Sequence, residues 1–125
     1  MPQFFSISTS TTGAVRLYHG TDVESAQRIA GSGVIYESAL RCGGTGEFWT
    51  SYDRSDAVTF AQSNLASGPP GIVSFNLPTA VIQHCLFQPI PWAWLHHGDA
   101  HIEFLRPSFP ILNESITNCH VELLE

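Results

Sequence analysis

Leu17-Tyr18-His19-Gly20-Thr21 and, about 25 residues on, Gly43-Gly44-Thr45-Gly46-Glu47-Phe48-Trp49-Thr50-Ser51 are the stretches on which the reading of this chain turns. In the first, a short apolar strand from Val15 to Tyr18 ends in a histidine–glycine pair. In the second, a glycine-rich turn feeds an aromatic strand. Two such strands can build a slot for a flat, polar ring. A third stretch, His101-Ile102-Glu103-Phe104-Leu105, adds an acid on a late strand.

Working outward, Thr21-Asp22-Val23-Glu24 matches a capping box, in which Thr21 caps the helix and Glu24 reaches back. The spacing predicts a helix over 22–30 that carries Val23, Ala26, Ile29 and Ala30 on one face and ends at Gly31 to Gly33. Val34 to Tyr36 is short and extended, and Arg41 to Gly46 is a loop. After the strand Glu47 to Ser51, Asp53 caps a second helix, with Asp56 in its first turn. Ala57, Phe60, Ala61 and Leu65 recur there at helical spacing and should face the core. Ser67 to Gly71 is a turn, Ile72 to Leu77 a strand stopped by Pro78, and Thr79 to Leu86 a short helix. Pro89 to Asp99 reads as a loop anchored by Trp92 and Trp94. His101 to Leu105 is a strand, Arg106 to Glu114 a loop and Ile116 to Leu124 a last strand. The pattern is β-rich with two early helices, an α+β domain, not alternating βαβ units.

With 125 residues, 1–125 fit one domain, with 1–13 as a loose Ser/Thr/Gly lead-in. A hydrophobic share of 43% against 13% charged residues can fill a core. The net charge of −6 and five scattered arginines (Arg16, Arg28, Arg41, Arg54 and Arg106) argue against a nucleic-acid backbone as main partner. There is no lysine, which fits either codon bias or a delivered toxin or effector that avoids modification at lysine. Cys42, Cys85 and Cys119 have no CxxC spacing and read as free thiols. No signal peptide or bilayer-length run is visible. The expectation is a monomer without membrane partner, cytoplasmic by default, with export as a toxin or effector left open.

The ordered set His19-Gly20-Thr21, then Gly46 to Ser51 with Ala57 and Phe60-Ala61 behind it, then Glu103 resembles the ADP-ribosyltransferase superfamily. The branch is the diphtheria-toxin and poly(ADP-ribose) polymerase one, marked by a His, an aromatic and a Glu, and the likeness spans roughly residues 15–105. The resemblance implies a compact split β-sheet core and NAD⁺ as substrate, with no metal. It implies cleavage of the nicotinamide–ribose bond, with ADP-ribose passed to an acceptor, protein or other, or to water. It also implies a site made of His19, Gly20, Thr21, Phe48, Trp49, Thr50, Ser51, Phe60 and Glu103.

The residue types suit those roles. Gly20, without a Cβ, lets backbone N–H and C=O groups approach the nicotinamide carboxamide. His19, by resemblance, hydrogen-bonds a ribose hydroxyl of the adenosine half. An aromatic face stacks on nicotinamide, and two residues compete for that place. Counting from Gly46 suggests Phe48, and counting back from Ala57 suggests Trp49. Strand neighbours point to opposite faces, so only one can stack. The family usually has tyrosine there. Phe60 is the candidate for the other wall. Glu103, accepting from the nicotinamide-side ribose 2′-OH, steadies positive charge at the anomeric carbon. His101, two residues before it, stands where the arginine-modifying branch has an acid, so an arginine acceptor is not expected. Acceptor choice is assigned to loops such as Pro89 to Asp99.

Two other readings compete. His97, Asp99, His101 and Glu103 alternate, so all four can meet a metal from one strand face, as in small cupin-type barrels with His120 as the later ligand. A catalytically inactive NAD⁺-binding module is the other.

Overall fold

The structure is a computed structural model, and it describes residues 13–32, 47–63, 68–98 and 100–124. In chain order these form β1 (Ala14–Asp22), α1 (Val23–Ser32), β2 (Glu47–Ser51), α2 (Arg54–Ser63) and β3 (Pro70–Pro78). There follow α3 (Thr79–Leu86), β4 (Ala93–His96), β5 (His101–Leu105), a 3-10 turn (Arg106–Ser108), α4 (Phe109–Ser115) and β6 (Thr117–Leu123). The expected extended piece Val34 to Tyr36, the glycine-rich loop, Leu65, Cys42 and residues 1–12 of the lead-in lie outside the described residues.

The architecture is α+β: the described residues form one six-stranded antiparallel open sheet of order β4-β5-β2-β1-β3-β6 with four helices. β1 and β3 pair along nine positions, from Ala14↔Pro78 to Asp22↔Pro70. β2 and β5 pair along five, from Glu47↔Leu105 to Ser51↔His101. Between these two ladders β1 and β2 share a single register pair, Tyr18↔Ser51. The sheet is therefore two three-stranded halves joined at a seam.

Cross-strand partners share a face of a sheet. Phe48, Phe104 and Ala93 line up on one face, together with Leu17, Val73, Phe75, Leu77 and Ile102. Against this face pack Ala26 and Ile29 of α1, Ile82 and Cys85 of α3, and Phe109 and Leu112 of α4. Phe48, Phe75, Phe104 and Phe109 are fully buried, each stabilising the fold by about 2–3 kcal/mol. α2 packs on β1 and β3 apart from this cluster. Its Ala57 and Ala61 close onto Gly20 so tightly that a Cβ there would lie 2.1 Å from the Ala57 carbonyl oxygen.

Several sequence expectations are corrected. β1 runs through Thr21 and Asp22 because the ladder with β3 holds the chain extended to Pro70. The cap consequently moves one residue on: Asp22, not Thr21, accepts from the Ser25 N–H at 2.7 Å and the Ser25 hydroxyl at 3.0 Å. Asp53 does cap α2, its Oδ1 accepting the Ser55 N–H at 3.0 Å. Phe60 is not core but 46% exposed, because α2 has only its alanine stripe against the sheet. Pro89 to Asp99 contains an edge strand, β4, whose Trp94 and Leu95 are exposed. Arg106 to Glu114 contains α4, started by Pro110 in its first turn and buried through Phe109 and Leu112. Cys85 and Cys119 are free thiols, Cys85 buried.

Candidate active site at the sheet seam

Registers decide which expected site residues meet. Trp49 pairs with Glu103 across β2 and β5, and Trp94 pairs with Glu103 from β4. Ser51, His101 and His96 form the next row. These side chains occupy the face opposite the main core. Glu103 is 9% exposed. Its Oε1 lies 2.9 Å from His96 Nε2, and Oε2 takes no hydrogen bond among the described residues. The His96 ring stands 4.7 Å from the Trp49 ring, tilted by 36°. A carboxylate this buried normally recruits several donors, so one half-exposed imidazole leaves it with accepting capacity.

Phe48 faces the other way. It is fully buried, stacked on His19 at 4.2 Å between ring centres and on Phe75 at 6.2 Å. Of the two aromatic candidates, only Trp49 lies beside Glu103.

His19 reaches the seam from the core face. Its Nδ1 lies 2.6 Å from the Trp49 carbonyl oxygen. A carbonyl only accepts, so Nδ1 carries the proton and donates. The imidazole thus occupies a place where β1 and β2 have stopped pairing. Burial pushes its pKa down to about 4, against smaller upward pulls from that hydrogen bond and from Asp22. The ring is therefore neutral at pH 7, and Nε2 is a lone-pair acceptor, buried and without a partner among the described residues. The His19 imidazole and the Glu103 carboxyl do not share a face. Trp49 joins them, through its carbonyl on one side and its register partner on the other.

The remaining expected site residues divide between structure and surface. Gly20 lies under α2. Thr21 is buried in β1 opposite Gly71. The Thr50 hydroxyl donates to the Ile102 carbonyl at 3.1 Å, a tie between strands β2 and β5. The Ser51 hydroxyl bonds the Asp53 backbone and shapes the entry to α2. On α2, Asp56 reaches His101 Nε2 at 3.0 Å. Phe60 is one turn beyond Asp56 on the same helix side and is exposed.

The alternating metal set does not form one strand face. β4 ends at His96, and the chain turns through His97 and Gly98, both left-handed at φ 54° and 63°, before β5 begins. His101 is engaged by Asp56 and Glu103 by His96. Asp99 lies outside the described residues. No group of three ligating side chains converges among those described.

Neither His96 nor Asp56 stands out in the sequence as a site residue. The signal that finds His96 is the turn at Gly98: with β4 read as a strand, a hairpin sets His96 opposite His101 and beside Glu103. Comparison of the chain with protein-family models, with curated proteins and with solved structures finds no match.

Proposed function

We propose that this chain cleaves NAD⁺ at the nicotinamide–ribose bond and passes ADP-ribose to an acceptor or to water, on a split sheet of the ADP-ribosyltransferase kind. The observation that carries the reading is the pairing of Trp49 with Glu103 on one face, beside the β1/β2 seam. An aromatic wall and a buried carboxylate with one oxygen unpartnered among the described residues are what a pyridinium ring and a developing ribosyl cation need side by side.

In this reading nicotinamide stacks on Trp49, with the exposed Phe60 as the second wall. Glu103 Oε2 accepts from the ribose 2′-OH. The C–N bond breaks as its electron pair returns to the pyridinium nitrogen, nicotinamide leaves neutral, and Glu103 lowers the energy of the cation left behind. His19 holds the Trp49 backbone through Nδ1; its Nε2 is buried on the core face, so in this reading the ring positions Trp49 and does not touch the adenosine ribose. Two three-stranded halves joined by one register pair support the split-sheet assignment.

The test is incubation with NAD⁺ labelled in its adenylate half, with released nicotinamide and label transfer followed together, first in buffer and then in cell lysate. Nicotinamide release with transfer to an acceptor, or with free ADP-ribose as product, is the expected result. NAD⁺ binding without nicotinamide release would make the chain a binding module instead.

A further inference from the structure

We infer that His96, held by Glu103, is the general base that takes the proton from the attacking acceptor, and that the acceptor is a neutral hydroxyl or water. The inference rests on the NAD⁺-cleaving reading above and adds to it the chemistry of the second substrate.

Three observations carry it. First, His96 Nε2 lies 2.9 Å from Glu103 Oε1. The carboxylate accepts, so Nε2 carries the proton and Nδ1 is left as the basic nitrogen. Second, the ring is placed at the reacting face: it lies 4.7 Å from Trp49, the residue assigned to hold nicotinamide. Third, the His96 side chain is 36% exposed whereas that of Glu103 is 12% exposed. The imidazole can thus meet an incoming acceptor that the carboxylate, occupied with the ribose, cannot. A buried acid that fixes the tautomer of a more open histidine is the arrangement by which a histidine is made ready to remove a proton.

The step balances. As the ribose–nicotinamide bond breaks and nicotinamide leaves with its electron pair, an acceptor oxygen forms a bond to the anomeric carbon. Its proton passes to His96 Nδ1, and the imidazolium so formed is stabilised by Glu103. Neighbouring charges are consistent with this assignment: His101, which precedes Glu103 by two positions, is engaged by Asp56, and among the described residues it is His96 that reaches the carboxylate. A guanidinium acceptor would find Glu103 already held by His96, whereas a neutral hydroxyl meets the base it needs.

The experiment compares the unmodified protein with His96→Gln and His96→Asn, whose amides can still donate to Glu103 but cannot take a proton. Nicotinamide release is measured with water alone and with added azide, a nucleophile that has no proton to lose. Thermal melts check that both variants are folded. The unmodified protein releases nicotinamide in both conditions. In the variants the expected result is a loss of about 10²-fold or more with water, with release restored by azide and NAD⁺ affinity unchanged. Undiminished hydrolysis in folded variants would overturn the inference. Loss with water that azide does not restore would overturn it too, leaving His96 a residue that only positions Glu103. No nicotinamide from the unmodified protein would overturn the reading beneath it, and this inference with it.

Discussion

The His19 imidazole donates through Nδ1 to the Trp49 carbonyl across 2.6 Å, bridging β1 and β2 close to where their backbones cease to pair. A side chain there does what a ladder hydrogen bond does elsewhere in the sheet. The same contact buries the ring and leaves Nε2 unpartnered among the described residues.

Stability should therefore depend on pH through this ring. The His19 pKa lies at about 4 in the folded protein against an ordinary 6.5. Between those values the unfolded chain binds the proton that the native one refuses. Stability is then complete above pH 6.5, falls as pH drops toward 4, and loses nothing more from this group below that. The loss amounts to about 3 kcal/mol over the window. Urea midpoints at pH 7.5 and pH 4.5 measure it. His19→Asn keeps an N–H for Trp49 but has no proton to gain in this range, and its pH slope should be flatter. Equal slopes in the two proteins would place the acid sensitivity elsewhere.

Gly20→Ala should be strongly destabilising. The new Cβ would sit 2.1 Å from the Ala57 carbonyl oxygen and 3.0 Å from the Ala61 nitrogen. Both are backbone atoms of one helix, so α2 must shift as a unit, at a cost of about 1–3 kcal/mol or more. Gly31→Ala is the control. No described residue lies within 4 Å of a Cβ there, and the change should be neutral or stabilise by up to about 1 kcal/mol. Chemical denaturation of the two variants gives the comparison.

Asp22→Ala should cost about 1 kcal/mol, since it strips the cap from the Ser25 N–H. Asp22→Asn should keep most of that stability, because asparagine caps nearly as well. If both variants lose the same amount, the Asp22 charge matters more than its hydrogen bond.

Much of this fold is legible in sequence because strong local signals and tertiary demands agree. Alternation in His101 to Leu105 and the apolar run Ile72 to Leu77 mark β5 and β3 correctly, and both stand in the sheet. The Ala57–Ala61 spacing marks the buried stripe of α2. What fails is decided by distant partners. Asp22 is extended because Pro70 pairs with it, and no local pattern contains that fact. β4 is hidden by Pro89 and Pro91 just before it and by two exposed apolar residues, Trp94 and Leu95, as an edge strand allows. The candidate site divides in the same way. Trp49 and Glu103 are readable as separate strand positions, but their register is a property of the sheet. His96 becomes visible only once the left-handed pair His97-Gly98 is recognised as a hairpin turn.

Glu103→Gln should lower nicotinamide release by about 10²-fold or more while leaving NAD⁺ affinity nearly unchanged, because its charge acts on the developing cation and not on the bound ground state. Glutamine preserves the volume of a side chain that is only 12% exposed, so folding should survive. Steady-state release assays beside NAD⁺ titrations separate the two effects. Full activity in this variant would remove Glu103 from the chemistry.

Trp49→Leu and Phe48→Leu are neighbouring changes that should fail in opposite ways. Trp49 lies beside Glu103 and next to the His96 ring, on the face away from the main core. Losing its indole should cost about 1–3 kcal/mol of stacking, or roughly 10- to 100-fold in NAD⁺ affinity, with little change in urea midpoint. Phe48 is fully buried between His19 and Phe75. Its truncation should lower stability by about 1–3 kcal/mol through lost contacts, while the folded fraction still binds NAD⁺ normally. Calorimetric titration of both variants, at a temperature where each is folded, distinguishes a stacking residue from a core residue. If Phe48→Leu weakens NAD⁺ and Trp49→Leu does not, the nicotinamide lies on the other side of the sheet, and the pairing of Trp49 with Glu103 has no part in binding it.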